Sequence, residues 1–588
     1  MKNKNNRIIV FGFVFILFML TMDVAYNPTT LTNEKNPVGA YRENIPAASP
    51  VDSDMDGWSD YDELYTIFTD PFDPGPFYID GDAELTAMAA YHGWQGTGDY
   101  GDPYIIENYV IDVNDADVSC IKILNIVSTY FIIRDCTVSG ASGPYAELII
   151  PFEHAHAGIW LSNVQYAEVT NNQCFNNLYG IRVDYSYAVV IEQNTCYSNI
   201  WEGIAVILDS TQCIVTDNYC YYDFNPEGIV GNGIGVGIGA YENTIVHNFV
   251  YDNQHAGIHF FLGYGNIVRD NYCYGNDWGI AVRGTSSDNQ LIENHCWNNY
   301  QGIYVEDSDS NTIVDNECFS NDFEGIVVVY DSNGNLVTDN WCYDNLVNGI
   351  GVGLGATDNT IEYNHAYNNG YAGIHFWNGD DNTVRGNDCY ENEYGISMRG
   401  GSSGNTILEN LIAFNEVGIY LLGGSSNTIF HNSIIDNTIQ ALDQDPISQN
   451  FWYNPDLQEG NYWSDYMGED LNGDGIGDTD VPWPSFGFDL YPLMTPTTFQ
   501  EMIEVVKSRL QDLVDSGVLE DNNVRPLIKK LDAVIEFINK GKMFQASQKL
   551  GDVVDQINAL INSGKLPMME GGYLLAQMQL IIDVLLII

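Results

Sequence analysis

Short runs of alternating apolar and polar residues fill the middle of the chain, and each run opens on a Gly-Ile pair. The pair recurs at Gly158-Ile159, Gly180-Ile181, Gly203-Ile204, Gly228-Ile229, Gly257-Ile258, Gly279-Ile280, Gly302-Ile303, Gly325-Ile326, Gly349-Ile350, Gly373-Ile374, Gly395-Ile396 and Gly418-Ile419, at intervals of 22 to 29 residues. Between pairs the sequence approximates N-x-I-x-x-N-x-C-x-x-N-x-x-G-I. A fixed period in this range marks a solenoid of stacked repeats. Successive side chains of a strand point to opposite faces. In Gly257-Ile258-His259-Phe260-Phe261, Ile258 and Phe260 therefore point inward and His259 outward. The β-branched runs, broken by Asn and Gly, predict an all-β fold. It is a right-handed single-stranded parallel β-helix over residues 120–440, with about 12–14 coils.

The flanks read differently. Residues 76–119 predict a cap and first coil, with a short helix over 82–90. Residues 441–496 form a closing segment. After Pro496 the apolar spacing becomes helical, at Met502, Val506 and Leu510, then Val524, Leu527, Leu531 and Val534, then Leu550, Val553, Ile557 and Leu560. With Gly517, Gly541 and Gly564 as punctuation, residues 499–588 predict a four-helix unit. Its last apolar run, 573–588, contains Asp583 and is expected inside the bundle; a short anchor is the alternative. At the other end, Lys2, Lys4 and Arg7 precede an apolar stretch over 8–20. Residues 1–25 read as a signal peptide, or as a retained N-terminal anchor, although the apolar stretch is short for a span. Residues 26–50 read as a flexible leader. The mature chain is expected to be secreted or at the cell surface.

The repeat sorts residues by slot. Eight cysteines share N-x-C: Cys174, Cys196, Cys220, Cys273, Cys296, Cys318, Cys342 and Cys389. Val250, Ala366, Ile412 and Ile434 fill the same slot, so it reads as a small apolar core position rather than a metal chain. The asparagines two places earlier predict an internal ladder at a bend. A longer period is also present. Asn232-Gly-Ile-Gly-Val-Gly-Ile-Gly-Ala240 returns as Asn348-Gly-Ile-Gly-Val-Gly-Leu-Gly-Ala356, 116 residues later. The same shift carries His259 to His375, Arg283 to Arg399 and Tyr304 to Tyr420, so a block of about five coils is duplicated.

Charge narrows the partners. Acidic residues number 80 against 21 lysines and arginines, a net charge of -59. That argues against nucleic acid, whose backbone needs basic neutralisation, and favours cations. Asp52-Ser-Asp54-Met-Asp56-Gly57-Trp58-Ser-Asp60-Tyr-Asp-Glu63 has oxygen ligands at positions 1, 3, 5 and 12 and a turn glycine at 6, the pattern of a calcium loop over residues 51–75. A second loop, Asp470, Asn472, Asp474, Ile476 and Asp478, lacks the acid at position 12. Structural calcium is expected at both, and no organic cofactor.

The outward face of the strands after Gly-Ile carries the candidate chemistry. Trp160, Arg182, Asp184, His259, Arg283, Tyr304, Glu306, His375, Trp377, Arg399 and Tyr420 fall on it. Aromatic faces stack on sugar rings and Arg forks recognise carboxylates, so this face is expected to bind a polysaccharide or cell-surface glycan. Glycoside hydrolysis needs two flanking carboxylates, and Glu306 has no evident partner. A lyase needs a base beside a cation; Arg283, His259 and Glu306, or Arg399 and His375, offer such sets. Glycan binding without turnover, a lyase or hydrolase in the same groove, and a structural or adhesive surface protein therefore stay open.

The repeats resemble the NosD-type, carbohydrate-binding/sugar-hydrolase (CASH) group of right-handed β-helices over roughly residues 80–495. The lead-in Asp102-Pro103-Tyr104-Ile105-Ile106-Glu107-Asn108 carries the likeness. So does the ending, Gly460-Asn-Tyr-Trp-Ser-Asp-Tyr466 through Asp474-Gly-Ile-Gly-Asp-Thr479 to Tyr491-Pro-Leu-Met494. The acidic loop near the N-terminus resembles thrombospondin type 3-like calcium repeats, and the tail resembles FIVAR/FIMAH-like modules. The resemblance implies a surface β-helix in a glycan setting, with contacts to the envelope through the tail; a monomer is expected. Some members of the group are named for copper-site maturation, but the cysteine slots here do not resemble a soft-metal chain.

Overall fold

The computed structural model describes residues 76–143, 156–224, 231–444, 449–481, 487–496 and 498–587. The signal, the leader and the first acidic loop, with Asp52, Asp54, Asp56, Trp58, Asp60 and Glu63, lie outside the described residues. From Phe77 the chain winds into a parallel β-solenoid of about 14 turns, whose three sheets hold 15, 14 and 15 strands. Each turn gives one strand to each sheet. In one turn, Trp278–Arg283 enters the first sheet, Gln290–Ile292 the second and His295–Trp297 the third.

Stacking like on like fixes the register. Ile258, Ile280 and Ile303 pair in the first sheet, Leu291 with Ile313 in the second, and Cys273, Cys296 and Cys318 in the third. The cysteine column is fully buried, and Cys220 continues into Val250, Cys342 into Ala366 and Cys389 into Ile412. All eleven cysteines are free. They fill space in a core with room for a thiol or a methyl group and little more.

Asparagine ladders hold the corners. Asn294 donates both its backbone N–H and its Nδ2 to Oδ1 of Asn316, at 2.9 Å each, and its Nδ2 also reaches the Val268 carbonyl at 2.9 Å. The sequence marks this ladder. Two more run at other bends, through Asn289 to Asn311 and through Asn299 to Asn321. An amide carries donor and acceptor in one plane, so the same relation can repeat at every coil.

The glycine of Gly-Ile has a steric reason. A Cβ on Gly325 would stand 2.7 Å from the Gly349 carbonyl oxygen and 2.9 Å from Asn345 Nδ2. A core atom, Cys318 Cβ, stands 3.3 Å from the same position, so glycine and the isoleucine after it point inward together. The strict alternation expected from the sequence breaks there, and the residue before each glycine turns outward.

One assignment needs correction. Gly228-Ile229 lies outside the described residues and does not open the coil strand. Asn232–Gly237 does, with Ile234 paired to Ile204 and Ile258. The interval from Gly203 to Gly233 is lengthened by an insertion before the strand. A strand at Phe77–Asp80, which the sequence does not signal, begins the first sheet by pairing with Ile121–Leu124. Helix α1 (Asp82–His92) follows and buries Leu85, Met88 and Ala89 at the start of the core.

At the other end Tyr462–Trp463 adds the last strand of the third sheet, and Trp452 and Trp463 close the core. Asp489 ties this segment by accepting from Asn461 N–H and Trp463 Nε1, both at 2.8 Å, and from Tyr491 N–H at 3.0 Å. Four helices follow: α2 (Thr498–Asp515), α3 (Asp521–Ile538), α4 (Met543–Asn562) and α5 (Met568–Ile587). Leu574, Met578 and Ile581 of α5 are buried, as expected for the last apolar run. No described helix is long and apolar enough to cross a membrane. The bundle shares an apolar cluster with Leu411, Ala413 and Ile435 of the third sheet, and Arg509 bonds Asp315 at 2.9 Å.

Candidate functional site

The glycine bulge gives the first sheet three outward columns where alternation predicts two. The additional one carries Tyr179, Glu202, Asn232, Trp278, Gln301, Glu324, Asn348 and Tyr394. Sequence reasoning missed it because the flip depends on the bulge. The recurring glycine was the available signal.

Three clusters form on this face. In the first coils Arg182 Nε meets Asp184 Oδ1 at 3.1 Å, with Arg182 only 1 % exposed. Trp160 Nε1 donates to the same Asp184 oxygen at 2.7 Å, and the Arg182 guanidinium lies 4.4 Å from the Trp160 ring. Lys122 Nζ sits 3.8 Å from the other side of that ring, and burial followed by the Arg182 charge pulls its pKa down to about 8. This cluster satisfies itself.

The other two clusters are the duplicated blocks. In the first block His255 Nδ1 stands 3.0 Å from Asn232 Oδ1, and His259 Nδ1 stands 3.4 Å from Asn232 Nδ2. Burial, then the Arg283 charge, lowers the pKa of His255 to about 3 and holds His259 well below the ordinary imidazole range. The Glu202 carboxylate folds over Gly235, where a Cβ would collide with it, and burial raises its pKa to about 7. Arg283 pairs with Glu306, and both are buried. Trp278 stacks flat on Tyr304 at 4.9 Å and lies beneath Arg283.

The second block repeats the frame with changed residues. Glu324 replaces Glu202 and bonds Gln301 Nε2 at 2.6 Å and Asn348 Nδ2 at 3.1 Å. Tyr371 stands for His255, Tyr394 for Trp278, Ser397 for Ala281 and Leu422 for Glu306. The Arg399 guanidinium lies 5.0, 5.4 and 4.7 Å from the rings of Tyr371, Tyr394 and Tyr420. The Tyr371 and His375 rings meet edge to face at 5.4 Å. Trp377 beside them is 51 % exposed, a free aromatic face.

The blocks differ in satisfaction. In the second, Asn348 Oδ1 and Arg399 Nε are buried without a hydrogen-bond partner among the described residues, while Tyr371 Oη, His375 Nδ1 and Ser397 Oγ are buried beside one another without a well-aligned bond. In the first only His259 Nε2 is in either condition. Buried polar groups are ordinarily paired, so five such atoms on one face mark a place built to receive polar atoms. Burial, then the Arg399 charge, lowers the pKa of His375 to about 4, while burial raises that of the Tyr371 hydroxyl.

A different feature lies on the outside of the third sheet. Phe175, Tyr197, Tyr221, Tyr251 and Tyr274 stack coil by coil at 4.9 to 5.3 Å, and the column continues through Trp297 to Tyr390. An aromatic residue directly after most slot cysteines was its sequence signal.

Family comparison places the chain. The family described as periplasmic copper-binding protein (NosD) matches residues 147–301, 284–413 and 401–468, more than half of the chain. The protein belongs to the NosD family. Residues 503–581 match the FIMAH domain. No curated protein matches. Among solved structures, the periplasmic alginate epimerase AlgG aligns at 13 % identity and TM-score 0.33, over 64 % of this chain and 83 % of that one. The AlgE6 A-module, a mannuronan C-5 epimerase of Azotobacter vinelandii, aligns at 14 % and 0.32, over 53 % and 90 %. The DFA-IIIase of Arthrobacter chlorophenolicus aligns at 13 % and 0.33, over 56 % and 90 %. These likenesses are of fold.

The copper of the family description does not fit the described residues. The cysteines are sealed in the core, and no three His, Cys, Asp or Glu side chains gather to hold a metal among the described residues. Copper prefers soft, approachable ligands. Asp470, Asn472, Asp474 and Asp478 turn their oxygens onto their own loop: Asp470 accepts from Gly473 and Gly475 N–H at 2.6 and 2.9 Å, and Asp478 from Leu471 N–H at 2.6 Å. The Ile476 backbone bridges to Leu493.

Proposed function

We propose that this NosD-family protein is an extracytoplasmic enzyme acting on a polysaccharide laid along the outer face of its first sheet. The reacting centre is in the second block. The observation that carries the reading is the convergence of buried polar atoms without a well-aligned hydrogen bond on Tyr371, His375, Ser397 and Arg399, beside the exposed ring of Trp377. An aromatic face beside convergent polar groups suits a sugar, whose ring has an apolar face and a polar rim.

The residues favour proton transfer over hydrolysis by paired carboxylates. Glu324 is the one acidic residue in the three outward columns of this block, and Gln301 and Asn348 already occupy it. His375 is neutral at neutral pH and can accept a proton, Tyr371 retains a proton to give, and Arg399 supplies fixed positive charge. A base, an acid and an electrostatic stabiliser are the parts that general acid–base catalysis requires. Binding without turnover is the second reading, since the aromatic and Arg columns would serve it equally.

Calcium belongs to this proposal as a structural ion of the loop at Asp470, Asn472, Asp474, Ile476 and Asp478. The spacing of hard oxygen donors around turn glycines supports it. The helical module is proposed to hold the enzyme to envelope glycans.

The test incubates the full chain with a panel of neutral and acidic polysaccharides and follows new reducing ends and unsaturated products. Product that disappears in His375→Ala and Tyr371→Phe, with unchanged circular dichroism, supports the reading. Binding without product leaves the second reading. Neither binding nor product with any polysaccharide overturns both.

A further inference from the structure

The two blocks are copies of one frame, and they differ at the arginine. Arg283 and Glu306 stand on neighbouring coils and form a buried ion pair, both under a tenth exposed. Five coils on, Arg399 occupies the same slot, and its register partner is Leu422. No ion pair forms at Arg399 among the described residues, and its Nε is buried without a partner. The aromatic surround is kept, with Tyr394 and Tyr420 in place of Trp278 and Tyr304. The frame that holds an arginine for a carboxylate is therefore intact, and at this block the described residues supply no carboxylate to it.

We propose that the sugar bound at the second block is a uronate, with its carboxylate on Arg399 where Glu306 stands on Arg283. The inference rests on the polysaccharide reading above and deepens it by naming the substrate class. Three further observations converge on it. Asn348, almost fully buried, leaves an amide oxygen without a partner among the described residues, and the Ser397 hydroxyl beside Tyr371 makes no well-aligned bond on the same face, an acceptor and a donor for a sugar's hydroxyls. Ser397 stands where the first block has Ala281, so this hydroxyl belongs to the open block alone. Leu422 is 40 % exposed, so the side opposite Arg399 opens to solvent where Glu306 closes the first block. Guanidinium and carboxylate match geometrically as a fork, and in a partly desolvated slot the pair is strong. The first block is then a self-occupied copy that shows the bound arrangement from within the chain.

The test uses the glutamate in both directions. The probes are oligomers of galacturonate, mannuronate, guluronate and glucuronate, each with its carboxyl-reduced counterpart, titrated calorimetrically into the full chain. The wild type is expected to bind at least one acidic oligomer at one site, at least tenfold tighter than its reduced form. Leu422→Glu supplies the internal carboxylate and should remove that preference, while Leu422→Gln keeps it. Glu306→Leu opens the first block and should raise the stoichiometry from one site to two. Circular dichroism and melting of each variant identify any that fails to fold. In that case the wild-type preference and the remaining variant decide. Equal binding of acidic and reduced oligomers overturns the uronate assignment and leaves the polysaccharide reading standing. Binding of no oligomer in either form overturns both.

Discussion

Asn199 donates its backbone N–H and its Nδ2 to Oδ1 of Asp223, at 2.7 and 3.1 Å, in a ladder of asparagines that ends on Gln440. Asp223 imitates the asparagine acceptor and its backbone N–H still donates to Asn253 Oδ1 at 3.1 Å, but it has no side-chain N–H to give. Its Oδ2 is buried without a hydrogen-bond partner among the described residues, and burial raises its pKa well above 3.8. A protonated carboxyl would restore the missing donor, because its O–H stands where the amide NH2 stands in the neighbouring coils.

Stability should therefore depend on pH through this residue. The native state keeps a proton that the unfolded chain releases near its ordinary value. Stability consequently falls as pH rises from about 4 to the folded pKa, and is level above it. Asp223→Asn supplies the amide permanently. We expect it to stabilise the protein at neutral pH by about 1–3 kcal/mol, the cost of one unsatisfied buried group. The difference from wild type should shrink towards pH 4. Melting curves across this range check it, and a difference that does not vary with pH would sink the idea.

The solenoid was legible because its core repeats. Ile258, Ile280 and Ile303 each meet a copy of themselves, so a linear period is also a three-dimensional contact. The candidate site was legible only in part. His375 and Arg399 could be placed on the outer face by alternation. Tyr371, Tyr394 and Glu324 could not, because they reach that face through the bulge and from the turn before the strand. Arg283 and Glu306 share one outward column a coil apart, so the repeat placed them together; that they are buried and paired depends on packing the sequence does not show. The strand at Phe77–Asp80 was hidden because it stands outside the repeat.

The bulge itself can be tested at Gly325. An added methyl would approach the Gly349 carbonyl at 2.7 Å and Cys318 Cβ at 3.3 Å. Because each coil is braced by its neighbours, the strand cannot shift alone. Gly325→Ala should cost about 1–3 kcal/mol by overpacking. Gly572→Ala in α5, where nothing stands within 4 Å, should be neutral or slightly stabilising. Urea unfolding of both variants makes the comparison, and equal effects would contradict the steric account.

Calcium at the second acidic loop predicts a stability effect confined to the closing segment. Chelation should lower the melting temperature of the full chain, and calcium should restore it. Asp474→Ala should remove part of that response, leaving whatever the loop at Asp52 to Glu63 contributes. Ligand-linked stabilisation grows with the logarithm of free calcium over the dissociation constant, so the shift should be graded with concentration. Identical calcium titrations of Asp474→Ala and wild type would exclude the second loop as a site.

The proton-transfer role of His375 predicts the shape of the pH profile. Burial and the Arg399 charge lower its pKa to about 4, so the imidazole is neutral and able to accept a proton through the neutral range. If it is the base, kcat/KM for a cleaved polysaccharide should be level from about pH 8 down to about pH 5, then fall tenfold per unit as the ring protonates. Arg399→Lys keeps the charge as a compact point but loses the planar fork and its contact with three tyrosine rings. It should raise KM at least tenfold and leave the acid limb near the same pH. Arg399→Met removes the smaller of the two causes that depress the imidazole, burial being the larger, so its acid limb should move only part of the way towards the ordinary histidine value of 6.5. Initial rates between pH 3.5 and 8 for the three proteins and His375→Ala decide the matter. An acid limb in the wild type that does not fall near pH 4, or that survives His375→Ala, would show that another group carries the proton.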